Sequence, residues 1–381
     1  MSVPPEAAEV GSQAGAGTRA DRLAELIAGE GLDQLLVADL VTPGDSSRDS
    51  QADVFWLTGF GGTSAVCVVG PEDRVFLTDF RYVERAAREV DAGFDRERIG
   101  GPRMLAEAAK RLRGRVGYNE TKISVRNLRR LEKAAPDDVE LVATEGLVAE
   151  LRRNKDEEEI RRIAEAARLT DEVYEWICER GLVGRADREV QLAAHQRMRE
   201  LGADDPSFPA IVAAGEDGAI GHHEPAGREI RAGELVVMDM GAIVDGYCSD
   251  CTRTFATGEI DDDAREAYEV VRAAQAAAVE AIRAGMEGSD ADAVARDPID
   301  DAGYGDQFGH GLGHGVGIQV HEPPRLAKSS EDVLAAGDVV TVEPGIYQPG
   351  SFGVRIEDLV VVTGDGIRNL SSIDKSLRVV G

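Results

Sequence analysis

Five side chains in the C-terminal half of the sequence have the chemistry of metal ligands, four of them carboxylates and one an imidazole. They are Asp239, Asp250, His314, Glu343 and Glu357. Hard oxygen ligands with a single histidine suit divalent ions such as Mn²⁺, Co²⁺ or Zn²⁺. Two such ions held side by side can activate water and bind the oxygens of a reacting carbonyl. The set therefore predicts a two-metal hydrolytic site.

The turn signal Asp245-Gly246 separates two strand-like segments, 235–243 and 247–256. Asp-Gly favours a two-residue hairpin loop, so residue 244 pairs with 247 and the register continues from there. Asp239 and Asp250 then lie on one face as diagonal neighbours, with their backbones roughly 7–8 Å apart. Two unrelated strand-end aspartates are the alternative. A buried, unpaired carboxylate is costly, however, and this cost favours a cation between the two.

Glycine occupies every second position of the segment 309–317, Gly-His-Gly-Leu-Gly-His-Gly-Val-Gly. Because glycine is a poor helix former, His310 and His314 do not form the helical i, i+4 pair of a zincin-type site. Alternate glycines are typical of an extended segment whose backbone approaches other groups closely. His310 and His314 then point the same way, and His321 follows on the same loop. A glycine loop whose histidines have no function is the alternative.

Two further segments place carboxylates at strand ends. Glu343 is followed by the turn signal Pro344-Gly345, and Arg355 and Glu357 are two residues apart on a strand predicted over 354–362. Arg355 and Glu357 would share a face of that strand, so this arginine suits the orientation of a ligand carboxylate. For Glu357 alone, an ordinary surface ion pair is the alternative.

Taken together, five ordered motifs in residues 155–381 resemble the pita-bread metallopeptidases, a family that includes aminopeptidase P, prolidase and methionine aminopeptidase. The motifs are 238–241 with 246–255, the glycine segment 309–317, His321-Glu322, 342–345 and 355–358. The first half is similar to the creatinase/prolidase N-terminal domain through 55–60 and 78–82. Methionine aminopeptidases usually lack that domain, so the resemblance favours the aminopeptidase P and prolidase branch.

The resemblance implies a role for each matching residue. Asp239, Asp250, His314, Glu343 and Glu357 would be the metal ligands. Among them Asp250 and Glu357 would bridge two ions, and Glu343 would also be the general base.

The other matching residues would be catalytic or substrate-binding. His222 would contact the substrate, His321 would stabilise the tetrahedral intermediate, and His310 and Arg355 would be substrate-binding. Gly221 stands where relatives usually have proline. The substrate contact assigned to His222 therefore has His223 as an alternative.

The function implied is that of an exopeptidase that hydrolyses the N-terminal Xaa-Pro bond of peptides longer than two residues. It would use two divalent ions, Mn²⁺ first and Co²⁺ or Zn²⁺ as alternatives. A prolidase restricted to dipeptides, a non-peptide hydrolase and a non-catalytic peptide-binding module remain alternatives. Such modules usually lose the metal ligands, which are all present here. The resemblance also implies a homodimer.

The order of the predicted helices and strands that must position these residues indicates an α+β protein with two domains. Residues 1–17 are small and polar and predict a disordered lead-in. Strands alternate with helices over 18–153, as in an α/β domain. A polar hinge at 152–159 begins the second domain, 154–381, in which helices and mostly antiparallel strands occur in separate runs.

Composition limits the partners and the compartment. The formal net charge is −28, from 43 basic and 71 acidic residues, and a surface this acidic disfavours nucleic acid and anionic membranes. The four cysteines are too few for a disulfide scaffold in 381 residues. No segment approaches the roughly 18 apolar residues of a membrane span and no secretory signal is evident, so we expect a soluble cytoplasmic protein. The acidity fits either adaptation to high salt or compositional drift.

Overall fold

The computed structural model describes residues 17–40, 51–100 and 103–381. These residues form two compact units, one that ends at Arg152 and one that spans Arg153–Gly381. The boundary expected from the sequence lies one residue later, after Arg153. The predicted lead-in lies outside the described residues, apart from its last position.

The first unit alternates helices and strands around one sheet. Its elements are α1 (Arg19–Gly29), β1 (Gln34–Val37), α2 (Ala52–Thr58), β2 (Ala65–Val69), β3 (Arg74–Thr78), α3 (Val83–Glu89), β4 (Asp95–Arg98), α4 (Met104–Ala109), β5 (Arg115–Asn119), α5 (Val125–Ala134), β6 (Glu140–Thr144) and α6 (Leu147–Arg153). The six strands lie in the order β4-β3-β2-β1-β5-β6. β2 is antiparallel to β1 and β3, and the other three pairings are parallel.

Local signals explain most of this unit. Thr18 and Asp21 form a capping box at the start of α1, which satisfies two backbone N–H groups that the first turn leaves free. The central strands β1 and β2 are buried, mostly apolar runs. β4 has no apolar pattern, since its sequence is Asp-Arg-Glu-Arg and its side chains are mostly exposed. This composition suits an edge strand, because charges there discourage pairing with another chain.

The second unit contains four helices and thirteen strands in its described residues. They are α7 (Glu157–Cys178), α8 (Asp187–Glu200), β7 (Asp205–Pro206), β8 (Ile211–Ala214), β9 (Leu235–Met240), β10 (Ala242–Val244), β11 (Tyr247–Cys248), β12 (Cys251–Ala256), α9 (Asp262–Ala281), α10 (Gly288–Asp301), β13 (Gly313–Gly315), β14 (Glu322–Leu326), β15 (Val339–Val342), β16 (Gly345–Gln348), β17 (Phe352–Arg355), β18 (Asp358–Val362) and β19 (Ile367–Asn369).

These strands form four small sheets with antiparallel pairing throughout. The orders are β11-β10-β7, β12-β9-β8, β14-β13-β15-β18-β19 and β16-β17. Two helix pairs cover the strands, each with its own apolar core. α7 and α8 pack on β8, β9 and β12, and α9 and α10 pack on strands β14 to β18. Helices and antiparallel strands in separate runs confirm the α+β prediction for this unit.

Three strands predicted as continuous are interrupted. The breaks fall at Gly241, between β9 and β10, at 249–250, between β11 and β12, and at 356–357, between β17 and β18. At each break the chain passes from one sheet to another. Gly241 permits this crossing, because a Cβ at that position would lie 1.9 Å from the carbonyl oxygen of Ser249. Of the predicted carboxylate ligands, Asp250 and Glu357 lie at these breaks and Asp239 lies two residues before the first, whereas Glu343 lies between β15 and β16.

No helix in the described part of the chain is both long and apolar enough to cross a membrane.

Candidate metal centre and active site

The hairpin of β9 to β12 places the first two carboxylates. Asp245 and Gly246 have φ angles of 48° and 84°, as a two-residue type I′ loop requires. Val244 pairs with Tyr247, and the same register continues across the break to Asp239 opposite Thr252. The predicted register is therefore confirmed.

Glu357 joins the two aspartates from the break between β17 and β18. One ligand oxygen from each of Asp239, Asp250 and Glu357 lies within 4.8 Å of the other two. The backbone N–H of Glu357 donates to the carbonyl of Thr252 at 3.0 Å, which fixes this break against the hairpin. Three carboxylates from separate segments thus converge on one point.

His314 and Glu343 complete the group. Nε2 of His314 lies 3.3 Å from Oε1 of Glu343 and 3.7 Å from Oδ2 of Asp250. Its Nδ1 lies 3.1 Å from the carbonyl oxygen of Gly315. If Nδ1 carries the proton and donates it there, the lone pair of Nε2 faces the carboxylates, as a metal-ligating imidazole requires. The structure therefore brings all five predicted ligands together.

Unsatisfied oxygen atoms test whether these residues fit a cation. Within the described part of the chain, Oδ1 of Asp239, Oδ1 of Asp250 and Oε1 of Glu357 are buried and have no hydrogen-bond partner. Burial first, and then the neighbouring carboxylates, raise the pKa of Asp250 and of Glu357 well above its ordinary value. Carboxylates so close together ionise together only when positive charge lies among them. The residues present fit divalent cations, and the oxygen-rich donor set with one imidazole suits the ions expected from the sequence.

Glu343 and His314 influence each other's charge. Burial alone would raise the pKa of Glu343, but the hydrogen bond and charge of His314, followed by His310 and Arg355, lower it to about 2. Burial would likewise lower the pKa of His314, but the hydrogen bond and charge of Glu343 raise it. Glu343 is therefore ionised at neutral pH.

Arg355 orients a ligand carboxylate. Its Nη2 donates to Oδ2 of Asp239 at 2.7 Å and its Nε donates to Oγ1 of Thr252 at 2.9 Å. Thr252 in turn donates to Oε2 of Glu357 at 2.7 Å. One buried guanidinium thus fixes two of the carboxylates, although Arg355 and Glu357 do not lie on one continuous strand as the sequence suggested.

The same arginine leads to His310 through Tyr347. Nη1 of Arg355 donates to the Tyr347 hydroxyl at 2.8 Å, and this oxygen lies 2.8 Å from Nε2 of His310. Nδ1 of His310 lies 2.8 Å from the carbonyl oxygen of Gly311. These contacts are satisfied when Tyr347 donates to Nε2 and Nδ1 donates to the carbonyl, which leaves the imidazole neutral. Burial lowers the pKa of His310, consistent with that state.

The remaining histidines fall into two groups. His321 is exposed and its ring centroid lies 4.3 Å from that of His314. Partial burial of its ring, then the charges of His314 and His222, lower the pKa of His321. His223 instead has its Nε2 3.4 Å from Oδ2 of Asp187. His195 accepts a hydrogen bond from the backbone of Ala210 at 2.9 Å, away from the centre.

Three residues of the centre were not predicted from the sequence. They are Thr252, Thr341 and Tyr347. Thr252 lies opposite Asp239 in the hairpin register, so the register could have revealed it. Thr341, two residues before Glu343, donates to Oε1 of Glu343 at 3.1 Å, and the period of two in a strand could have suggested it. No local signal marks Tyr347.

Similarity to known proteins extends over nearly the whole chain. The profile of metallopeptidase family M24 matches residues 161–364, and that of the creatinase/prolidase N-terminal domain matches residues 19–153. An uncharacterised peptidase of Bacillus subtilis (strain 168), YqhT, is 39% identical over 335 residues, which are 87% of this chain and 94% of that protein.

Two solved structures have the same fold. The Xaa-Pro dipeptidase from Bacillus anthracis is 36% identical, with a TM-score of 0.88 over 95% of this chain and 99% of that one. The X-Pro aminopeptidase from Thermotoga maritima MSB8 is 31% identical, with a TM-score of 0.84 over 95% of this chain and 100% of that one.

Proposed function

The chain belongs to metallopeptidase family M24, and we propose that it hydrolyses the bond between an N-terminal residue and proline in short peptides with the help of two divalent ions. It is a hydrolase with a creatinase-type N-terminal domain and a C-terminal pita-bread domain. The proposal concerns the substrate, the number of ions and the residues that do the chemistry.

The observation that carries the proposal is a set of three buried carboxylate oxygens, on Asp239, Asp250 and Glu357, that have no hydrogen-bond partner among the described residues. Burying unpaired carboxylates costs several kcal/mol for each group, and a fold that needed them only for stability would pair them. The carboxylate of Glu343 and the imidazole of His314 add two more ligands, which is more than one ion needs. Five ligands therefore support two ions, with Asp250 and Glu357 as the bridging residues.

Bound divalent ions would supply Lewis acidity toward the substrate carbonyl and lower the pKa of water. Glu343 would accept the proton of the attacking water and return it to the proline nitrogen as the bond breaks. The low pKa of Glu343 keeps its side chain ionised at neutral pH, so a carboxylate oxygen is free of a proton when the water attacks. Arg355 would hold Asp239 in place throughout the reaction.

The exposed histidines would act on the substrate. His321 lies beside His314 and would donate a hydrogen bond to the carbonyl oxygen as negative charge develops on it. His222 would contact the substrate from the same side. The structure favours His222 over His223 for this role, because His223 is engaged with Asp187. His310 would line the substrate site with a neutral imidazole ring, since both of its nitrogens have hydrogen-bond partners.

Chain length is the finer question. Peptides longer than two residues are the expectation from the sequence, whereas the Bacillus anthracis relative is named an Xaa-Pro dipeptidase. Arg325 is exposed and lies opposite His314 in the pairing of β13 with β14. A cation beside the site suits the free carboxylate that only a dipeptide carries on its proline. We therefore propose dipeptides as the preferred substrates and longer Xaa-Pro peptides as the second candidate.

The test compares Ala-Pro, Ala-Pro-Ala, a longer Ala-Pro peptide and Ala-Ala, after removal of metal and reloading with Mn²⁺, Co²⁺ or Zn²⁺. Arg325→Gln should raise KM for Ala-Pro and leave KM for the longer peptides unchanged. Better turnover of the longer peptides by the wild type would favour the second candidate. Equal turnover of Ala-Ala and Ala-Pro would remove the proline preference, and absence of hydrolysis with every metal would reject the proposed function.

A further inference from the structure

Helix α10 contains a buried ion pair outside the metal centre. Nε and Nη2 of Arg296 donate to the two carboxylate oxygens of Asp292 at 2.6 and 2.8 Å, and the two side chains are 9% and 1% exposed. Two charges withdrawn from water are favourable only when further hydrogen bonds use their remaining donors and acceptors. The partners that satisfy this pair therefore indicate what it does.

Those partners are backbone groups of the segment 308–312, immediately before the metal-ligand histidine. Arg296 donates to the carbonyl oxygens of Phe308 and His310 at 2.8 and 2.5 Å. Asp292 accepts from the N–H of Leu312 at 2.9 Å. This segment bends at His310 and Leu312 before strand β13 begins at Gly313. The ion pair thus binds backbone groups of three alternate residues in a segment that no strand partner holds within the described part of the chain.

The pair also fixes the side chain of His310. The guanidinium carbon of Arg296 lies 4.0 Å from the ring centroid of Phe308. Phe308 meets the ring of His310 edge to face, with centroids 5.2 Å apart and an angle of 87°. The opposite edge of His310 is fixed by Tyr347 at 2.8 Å. Both the backbone and the ring of His310 are therefore held.

The segment is in turn bonded to the candidate general base. The carbonyl of Leu312, whose N–H is held by Asp292, accepts from the N–H of Glu343 at 2.8 Å. The neighbouring glycines leave the segment no room to shift, since a Cβ at Gly311 or Gly313 would lie 2.7 or 2.0 Å from the carbonyl oxygen of Leu326 or Thr341. One residue, Leu312, thus joins the ion pair to the backbone of Glu343.

We propose that Asp292 and Arg296 are positioning residues, which set His310 and Glu343 in place without touching the substrate. The inference rests on the proposed function. Disturbing the pair lowers the rate of the chemical step more than substrate affinity, because it displaces the general base Glu343, whereas the ring of His310 keeps its contact with Tyr347.

The test uses Arg296→Lys and Asp292→Asn in the full chain loaded with Mn²⁺. Lysine keeps the charge but cannot bridge a carboxylate and two carbonyls, because it lacks the planar fork of arginine. We expect kcat for the preferred Xaa-Pro peptide to fall about 10- to 100-fold, as for other outer-shell partners, with KM little changed. Deuterium uptake, measured by mass spectrometry, should rise in peptides that cover 308–314 and 341–344 and not elsewhere.

Arg168→Lys is the matched control, because Arg168 forms an i, i+4 pair with Glu172 at 2.8 Å on the exposed face of α7. It should change neither kcat nor uptake. A rise in uptake with normal kcat, or a fall in kcat with normal local uptake, would overturn the proposal. So would a loss of activity that only follows a lowered melting temperature. Deuterium uptake is measured without substrate and therefore tests the anchoring of 308–312 by itself. A wild type that is inactive on every Xaa-Pro peptide would reject the proposed function but not this anchoring.

Discussion

Glu357 and Asp358 are adjacent and buried, yet their carboxylates have opposite surroundings. Asp358 accepts hydrogen bonds from Arg253 at 2.8 Å and from Lys375 at 2.5 Å. Gln275 and Asn369 donate to it as well, at 3.1 and 2.8 Å. Burial would raise the pKa of Asp358, but the charges of Arg253 and Lys375 lower it.

Glu357 faces the other way, as successive residues in an extended chain do. One of its oxygens accepts from Thr252, and the other has no partner in the described part of the chain. Burial and neighbouring carboxylates raise its pKa. Burial alone therefore does not mark a functional carboxylate. Asp358 is satisfied by cations that the chain supplies, whereas Glu357 and its neighbours require a cation from solution.

Asp250→Ala should abolish the cation site formed by Glu357 and its neighbouring carboxylates. We expect loss of bound metal and of peptidase activity with the fold retained, because the variant removes a buried carboxylate from a crowded set. Mn²⁺ should raise the melting temperature of the wild type and not of the variant, because an ion stabilises the folded state only when it binds to it. Asp138→Ala, at an exposed position of the first unit, is the control. Near-normal turnover by Asp250→Ala would reject the metal-centre assignment.

Glu343→Gln should separate ligation from proton transfer. The amide keeps an oxygen toward the metal but cannot accept the proton of water, and general base catalysis is typically worth about 10²–10⁴-fold. We expect kcat to fall by that factor with a smaller change in KM, as measured by steady-state kinetics with metal content determined in parallel. If kcat stays within a few-fold of the wild type, Glu343 is a ligand only.

Asp358→Ala should damage stability instead. It leaves Arg253, whose side chain is 1% exposed, buried without its carboxylate partner, a change that typically costs about 3–5 kcal/mol. Urea unfolding should show this loss equally with and without Mn²⁺, in contrast to Asp250→Ala. A destabilisation that disappears on adding metal would place Asp358 in the metal centre and remove the distinction drawn above.

Exposed carboxylates form a third class, for which we expect a smaller effect on stability than for the buried ones. The chain carries 71 acidic and 43 basic residues, so surface repulsion opposes folding at low salt. At 1 M salt the screening length falls to about 3 Å, and we expect the melting temperature to rise with KCl toward molar concentration. A melting temperature independent of KCl would favour compositional drift over salt adaptation.

Features that depend on local geometry were predictable from the sequence alone. A loop of Asp245-Gly246 prescribes the hairpin, and the period of two then places Asp239 and Asp250 on one face. Alternate glycines predict an extended backbone at 309–317, and the structure forms a strand in the middle of this segment, at Gly313–Gly315. The five proposed ligands were predicted from residue type and from the resemblance, because carboxylates with one imidazole suit divalent ions.

Only the tertiary structure decided which groups meet across long separations in sequence. Arg355 finds Asp239 across 116 residues, and Lys375 reaches Asp358 from outside the strand. The breaks that turn Glu357 toward the hairpin arise where the chain changes sheets, and no local pattern encodes that change. His222 and His223 are equivalent in sequence, and Asp187 distinguishes them by binding one. Pairings of this kind depend on packing between distant segments, which the period and propensity of a single segment do not record.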